Sequence, residues 1–273
     1  MSENKLMYNE IMSPIAEYLK KIATEIEILL APLANENAGE MVEYFMSRRG
    51  HMLRPSLTLL SAGAVDGEVF NDARHECLYA FGACIEMLHS ASLIHDDVID
   101  VSDERRGDKA LQVVYSNSKA VLGGDILYLR SFQRIIGIEN AFYLHHCLDV
   151  AELMCRGEIR QMFAIGKTLT KEQYLDIILT KTSVVTELAC WAGARIAGAD
   201  ETVQQSFTTL GRAVGVLYQL RDDVADHDLP DIAGFDVRDE MFMWKTVAME
   251  ALHGLHDSVY KQALLKLLDF LTI

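Results

Sequence analysis

The chain has 273 residues, half of them apolar, and carries 40 Asp and Glu against 25 Lys and Arg, a formal net charge of -15. Half-apolar content excludes an intrinsically disordered chain, and the acidic balance argues against a general nucleic-acid or anionic-membrane binder, since both need a basic face. A polyanionic substrate would also be repelled, unless local arginines, lysines or metal cations intervene.

The start, MSENKLMYNE, has no apolar run behind a basic cluster, so no signal peptide is expected. No stretch approaches about 18 uninterrupted apolar residues, so no transmembrane helix is expected. Prolines fall at Pro14, Pro32, Pro55 and Pro230. Their absence between Pro55 and Pro230 favours long helices. From Cys77 to Asp100 the apolar positions are broader than one amphipathic stripe, which predicts a helix buried on most sides. The stretches 118–137, 141–165, 172–197 and 202–227 read as further helices, with loops over 32–39, 65–71, 101–109, 165–171, 197–201 and 227–240. Alternating strand patterns bounded by turn dipeptides are lacking; the Asp66-Gly67 pair sits between helical patterns. No loop is long enough to be a linker, and there is no fixed repeat. The expectation is one all-α domain spanning 1–273.

The cysteines are Cys77, Cys84, Cys147, Cys155 and Cys190, an odd number with no CxxC pair. Their spacing reads as buried thiols in a reducing cytoplasm.

Two acidic clusters carry the chemistry. Each is DDxxD at the end of an apolar helical run: Asp96-Asp97-Val98-Ile99-Asp100 and Asp222-Asp223-Val224-Ala225-Asp226. Residues four apart share a helix face, so Asp96 and Asp100 converge, as do Asp222 and Asp226. Like charges at that spacing repel, and cations restore the balance. Oxygen-only ligands with room for water and phosphate suit Mg²⁺ rather than zinc. A solvated acidic helix end explains one such cluster; two copies behind buried helices point to cation binding. Arg105-Arg106 follows the first cluster, and paired guanidinium groups suit diphosphate oxygens, although surface pairing with Asp103 and Glu104 is the plainer reading. A rival constellation is Glu86-x-x-His89 with Glu250-x-x-His253, the spacing of di-iron bundles. It leaves both DDxxD clusters and the arginine pair unused.

Residues 86–107, EMLHSASLIHDDVIDVSDERRG, resemble the first aspartate-rich region of the trans-isoprenyl diphosphate synthases, the polyprenyl synthetase family. GVLYQLRDDVAD at 215–226 resembles the second. GHMLRP at 50–55, GGD at 123–125, GEIRQ at 157–161, KT at 181–182 and KT at 245–246 follow the family's order, and the resemblance spans roughly 45–250. It implies an all-α bundle around a deep central cavity, with the two aspartate motifs across its mouth. It implies a prenyltransferase that condenses isopentenyl diphosphate with an allylic diphosphate. By this likeness Asp96, Asp100, Asp222 and Asp226 are metal ligands, with Asp97 and Asp223 as ligands or supports. Arg105, Lys181 and Lys245 hold the allylic diphosphate, and Thr182 and Gln219 line the site. His51, Arg54, His89 and Arg106 bind isopentenyl diphosphate. It further implies a homodimer, with at most loose membrane contact for product release.

Two departures stand out. His51 occupies a position where the family commonly has lysine, which predicts weaker or more pH-dependent isopentenyl diphosphate binding. The stretch from Asp236 to Lys245 is longer than the usual spacing. Product length is expected to depend on the residues below Asp96 on its helix: Ser92 and Ala91, then Leu88, then Cys84. These lack the aromatic rings that block the tunnel in farnesyl-type members, and Cys84 is about 18 Å from Asp96 at 1.5 Å per residue. A product longer than farnesyl is expected, with Phe132 or Phe142 as alternative floors. Competing readings are a class I terpene cyclase and a non-catalytic subunit of a heteromeric synthase.

Overall fold

The computed structural model describes residues 3–48, 50–138, 142–227, 229–230 and 232–272, with side chains described from residue 6 onward. Arg49, beside the GHMLRP landmark, and two positions of the expected 227–240 loop lie outside the described residues. In chain order the helices are α1 (Glu3–Ile11), α2 (Ala16–Leu30), α3 (Asn37–Met46), α4 (Leu53–Val65), α5 (Arg74–Ile99), α6 (Leu111–Tyr115) and α7 (Asn117–Ile135). They continue as α8 (Phe142–Ala164), α9 (Lys171–Ile178), α10 (Val184–Ile196), α11 (Glu201–Asp226), α12 (Val237–Leu252) and α13 (Val259–Leu271). The all-α expectation holds.

Two details depart from the expectation. The 101–109 loop contains a small antiparallel hairpin, β1 (Glu104–Arg105) and β2 (Asp108–Lys109). The expected helix over 172–197 is interrupted at Leu179–Ser183 by a π-helical turn, which carries Lys181 and Thr182.

The chain divides into two compact units. One comprises Met1–Ala16, Leu57–His75 and His146–Ile273; the other comprises Glu17–Ser56 and Glu76–His145. In the second unit α5 is the buried spine: Leu78, Phe81, Cys84, Ile85, Leu88 and Ala91 are all shielded from solvent. Ile22 of α2 fills the space above Gly82. By length and composition α5 could cross a membrane, but 72% of its apolar window is buried inside the protein, as befits a core helix. In the first unit α11 packs along α10 and α12. Asp200 caps α11 by accepting from Val203 N–H, and Asp236 caps α12.

The cysteine expectation needs correction. All five are free thiols, but only Cys84, Cys147 and Cys190 are buried; Cys155 is exposed on α8 and Cys77 is partly exposed.

Candidate active site

The first aspartate cluster ends α5. The helical bond continues one residue beyond it, from Asp100 N–H to the Asp96 carbonyl at 2.8 Å. Asp96 and Asp100 therefore sit one turn apart, the first partly exposed and the second exposed. Asp97 faces the other way and is completely buried. Arg105 Nε donates to its Oδ1 at 2.8 Å, and the same oxygen accepts from Arg105 Nη2. Burial pushes the Asp97 carboxyl above its usual range despite that guanidinium, whereas the bond to Asp97 raises Arg105.

The hairpin separates the two arginines. Its two-residue turn is Arg106-Gly107, with φ of 55° and 82°, the left-handed pair of a type I′ turn. Gly107 meets that demand at no steric cost. Arg105 points to Asp97, while Arg106 Nη1 donates to the Arg48 carbonyl at 2.5 Å and its guanidinium lies 5.7 Å from the Phe45 ring centroid. Burial, then the positive charges of Arg54, Arg106 and Arg105, hold His89 well below the usual histidine range. The structure thus brings buried Arg54, His89 and Arg106, three of the residues expected around isopentenyl diphosphate, together with Arg105, expected at the allylic diphosphate. His51 is exposed in the same unit, one residue before Met52, whose φ is 51°.

The second cluster ends α11. Here too the middle aspartate is held from within: Asp223 accepts from the Tyr174 hydroxyl and from Gln219 Nε2, the latter at 2.8 Å. Gln219 Oε1 in turn accepts from Thr182 Oγ1 at 2.8 Å. Burial raises the Tyr174 hydroxyl further, and its bond to Asp223 adds to the shift. Asp222 is partly exposed and Asp226 exposed. Tyr174 was not legible as a site residue; only its apolar surroundings, Ile178, Val216 and Leu220, mark it, and they mark it as core.

Close helix approach places the Lys181-Thr182 turn. A Cβ on Gly157 of α8 would lie 2.6 Å from Lys181 N, and one on Gly215 of α11 would lie 2.5 Å from Ser183 Cα. Both contacts are with backbone, which cannot swing aside. Glu158, next to Gly157 and buried, forms an ion pair with Lys181. Gly124 of the GGD landmark has a different use: its missing side chain leaves room for His95, whose Nε2 lies 3.0 Å from the Val121 carbonyl.

Lys245 is engaged elsewhere. Its ammonium pairs with Asp269 at 2.8 Å and donates to Thr272 Oγ1 at 3.1 Å, tying α12 to α13. Of the product-length residues, Ala91, Leu88 and Cys84 are buried. Cys84 Sγ donates to the Ser131 carbonyl of α7 at 3.2 Å, and Ser92 Oγ to the His89 carbonyl at 2.8 Å. Phe132 stacks on Tyr128, centroids 6.0 Å apart, and Tyr128 lies 5.7 Å from His95.

Among the described residues, no three His, Cys, Asp or Glu side chains gather closely enough to cage an ion. The di-iron reading requires such a cage and loses its basis. Mg²⁺ does not, because it keeps several waters and shares substrate phosphate oxygens with one or two carboxylates. The outward-facing pairs Asp96/Asp100 and Asp222/Asp226 fit that donor requirement.

The Polyprenyl synthetase family description matches residues 35–234. Octaprenyl diphosphate synthase of Haemophilus influenzae is 31% identical over 229 residues, 83% of this chain and 68% of that protein. Geranylgeranyl diphosphate synthase of Methanosarcina mazei is 29% identical over 232 residues, 83% of this chain and 70% of that one. The fold matches a decaprenyl diphosphate synthase from Rhodobacter capsulatus with a TM-score of 0.87, at 23% identity over 97% of this chain and 98% of that one. The chain belongs to the polyprenyl synthetase family, and its fold is the all-α isoprenoid synthase fold.

Proposed function

We propose that the protein is a Mg²⁺-dependent trans-prenyltransferase that extends an allylic diphosphate with isopentenyl diphosphate. The carrying observation is the split within each DDxxD cluster. The middle aspartates, Asp97 and Asp223, are bonded inward, and the outer pairs face out at one-turn spacing. Asp96 and Asp100 on one motif, and Asp222 and Asp226 on the other, would be ligands of Mg²⁺ ions, which when bound would neutralise charge on the departing diphosphate. Arg105 and Lys181 add fixed positive charge at the allylic diphosphate. Arg54, Arg106 and His89 receive isopentenyl diphosphate, with His51 at the edge. In the reaction the allylic carbon–oxygen bond breaks and the diphosphate leaves with its electron pair. The isopentenyl double bond then forms the new carbon–carbon bond, and the proton lost from the adduct goes to the released diphosphate. Buried α5 side chains keep water from the cation. No nucleophilic serine, cysteine or lysine takes part. Lys245, paired with Asp269 in the absence of substrate, would add a third positive charge at the allylic diphosphate.

A product longer than farnesyl fits the small residues Ala91 and Ser92 below Asp96. A homodimer fits α7 and its C-cap, which leave Leu122, Leu129 and Ile136 exposed at seven-residue spacing. Free cysteines fit a reducing cytoplasm. Neither unit carries both aspartate clusters, so this reading takes 1–273 as one functional domain. The test is diphosphate release by the purified chain. Release that requires Mg²⁺, farnesyl diphosphate and isopentenyl diphosphate together supports elongation. Release without isopentenyl diphosphate indicates cyclisation or hydrolysis instead.

A further inference from the structure

We infer that Gln112 is a positioning residue that sets the first aspartate cluster and the arginine hairpin in one register; this rests on the prenyl-transfer reading above. Gln112 lies on α6 and is 9% exposed. Its amide nitrogen lies 2.9 Å from the Asp97 carbonyl oxygen and 2.5 Å from the Ser102 carbonyl oxygen. Carbonyl oxygens only accept, so the NH₂ end of the amide must face both.

The two carbonyls bracket a difficult turn. Asp97 belongs to the last turn of α5, where backbone carbonyls have no helical partner. Ser102 leads into the hairpin strand that carries Arg105. Between them Val101 has a φ of 54°, a left-handed conformation that costs a β-branched residue roughly 1–2 kcal/mol. Such a conformation persists only where its surroundings over-determine it. The bond from Ser102 N–H to the Asp97 carbonyl at 2.9 Å closes the turn from inside. Gln112 closes it from outside and grips both ends with one NH₂ group.

Asp100 immediately precedes Val101. If the turn relaxes, Asp100 moves relative to Asp96, and Arg105 moves relative to both. Gln112 therefore acts on the cation-binding pair without touching it. Its effect is expected first on metal and allylic diphosphate, and less on isopentenyl diphosphate, for which Arg54 and His89 lie on α4 and α5 before this turn and only Arg106 follows it.

The test uses the full chain, with Mn²⁺ and inorganic diphosphate as probe, read by electron paramagnetic resonance, alongside steady-state kinetics. Gln112→Leu removes both donors. Gln112→Glu keeps the size but can donate to neither carbonyl at neutral pH. Both are expected to weaken Mn²⁺ binding about tenfold, the size of losing one or two buried hydrogen bonds. Both should raise the KM for the allylic diphosphate more than the KM for isopentenyl diphosphate, and excess Mg²⁺ should restore kcat, which a general loss of packing does not allow. Unchanged Mn²⁺ binding, or an equal rise in both KM values, overturns the inference. Should neither variant fold, Val101→Gly is added to Gln112→Leu, because glycine holds the turn without strain. Restored folding with tight Mn²⁺ binding supports the role; continued unfolding, or folding with weak binding, contradicts it. A wild-type chain that makes no prenyl product sinks the prenyl-transfer reading, whereas an active enzyme whose variants bind Mn²⁺ normally sinks this inference alone.

Discussion

Arg105 donates through Nε to a fully buried Asp97 at 2.8 Å, so the arginine beside the first aspartate cluster is fixed by the one aspartate of that cluster which solvent cannot reach. The pair should be energetically coupled. In a double-mutant cycle of Asp97→Ala and Arg105→Ala, measured by urea unfolding, a coupling of about 1–3 kcal/mol is expected. Additive single effects would mean that the contact orders nothing.

The Lys181 turn depends on a glycine in a different helix. Gly157→Ala places a methyl 2.6 Å from Lys181 N. A cost of about 1–3 kcal/mol is expected from overpacking, together with a fall in kcat of about tenfold or more as Lys181 and Thr182 are displaced. Wild-type melting and turnover in Gly157→Ala would show that the turn tolerates the shift.

Much of this was legible in sequence. Long helices followed from the proline-free stretch, and the DDxxD spacing announced paired carboxylates on one face. The direction of each side chain was not legible. Asp96 and Asp97 are chemically identical neighbours, and only the 100° step between helix positions sends one outward and the other into the core. Tyr174 read as an apolar core position because its ring is one; its hydroxyl bond to Asp223 spans 49 residues. Lys245 matched a landmark by residue type, yet its partner Asp269 comes from α13, beyond any local pattern. Gln112 belongs to no motif at all.

His89 gives a pH signature. Its folded-state pKa is depressed, chiefly by burial and then by Arg54, Arg106 and Arg105. The unfolded chain binds a proton below about pH 6.5 that the folded chain refuses. Its contribution is therefore present above that pH and is lost on acidification, by at most about 1.4 kcal/mol per pH unit. In His89→Gln the stability curve should be flatter below about pH 6.5 by that amount. An unaltered slope would place the titration elsewhere.

His51 stands exposed where a lysine is usual in the family. His51→Lys is expected to lower the KM for isopentenyl diphosphate severalfold, because an ammonium brings a full positive charge to that position. A raised or unchanged KM counts against His51 as a contact for that diphosphate.

Ala91 is buried on α5, one helical turn and a fraction below Asp96. Ala91→Phe should shorten the longest product, because an aromatic ring would close the path taken by the growing chain. An unchanged product ladder would move the floor to another helix, with Phe132 and Tyr128 the first positions to substitute.

The most direct measurement is the mass of the prenyl alcohols recovered after the purified protein is incubated with farnesyl diphosphate, labelled isopentenyl diphosphate and Mg²⁺. The account predicts labelled products longer than farnesol that disappear when the metal is chelated. Recovery of unextended farnesol, with no label in any longer chain, would contradict it.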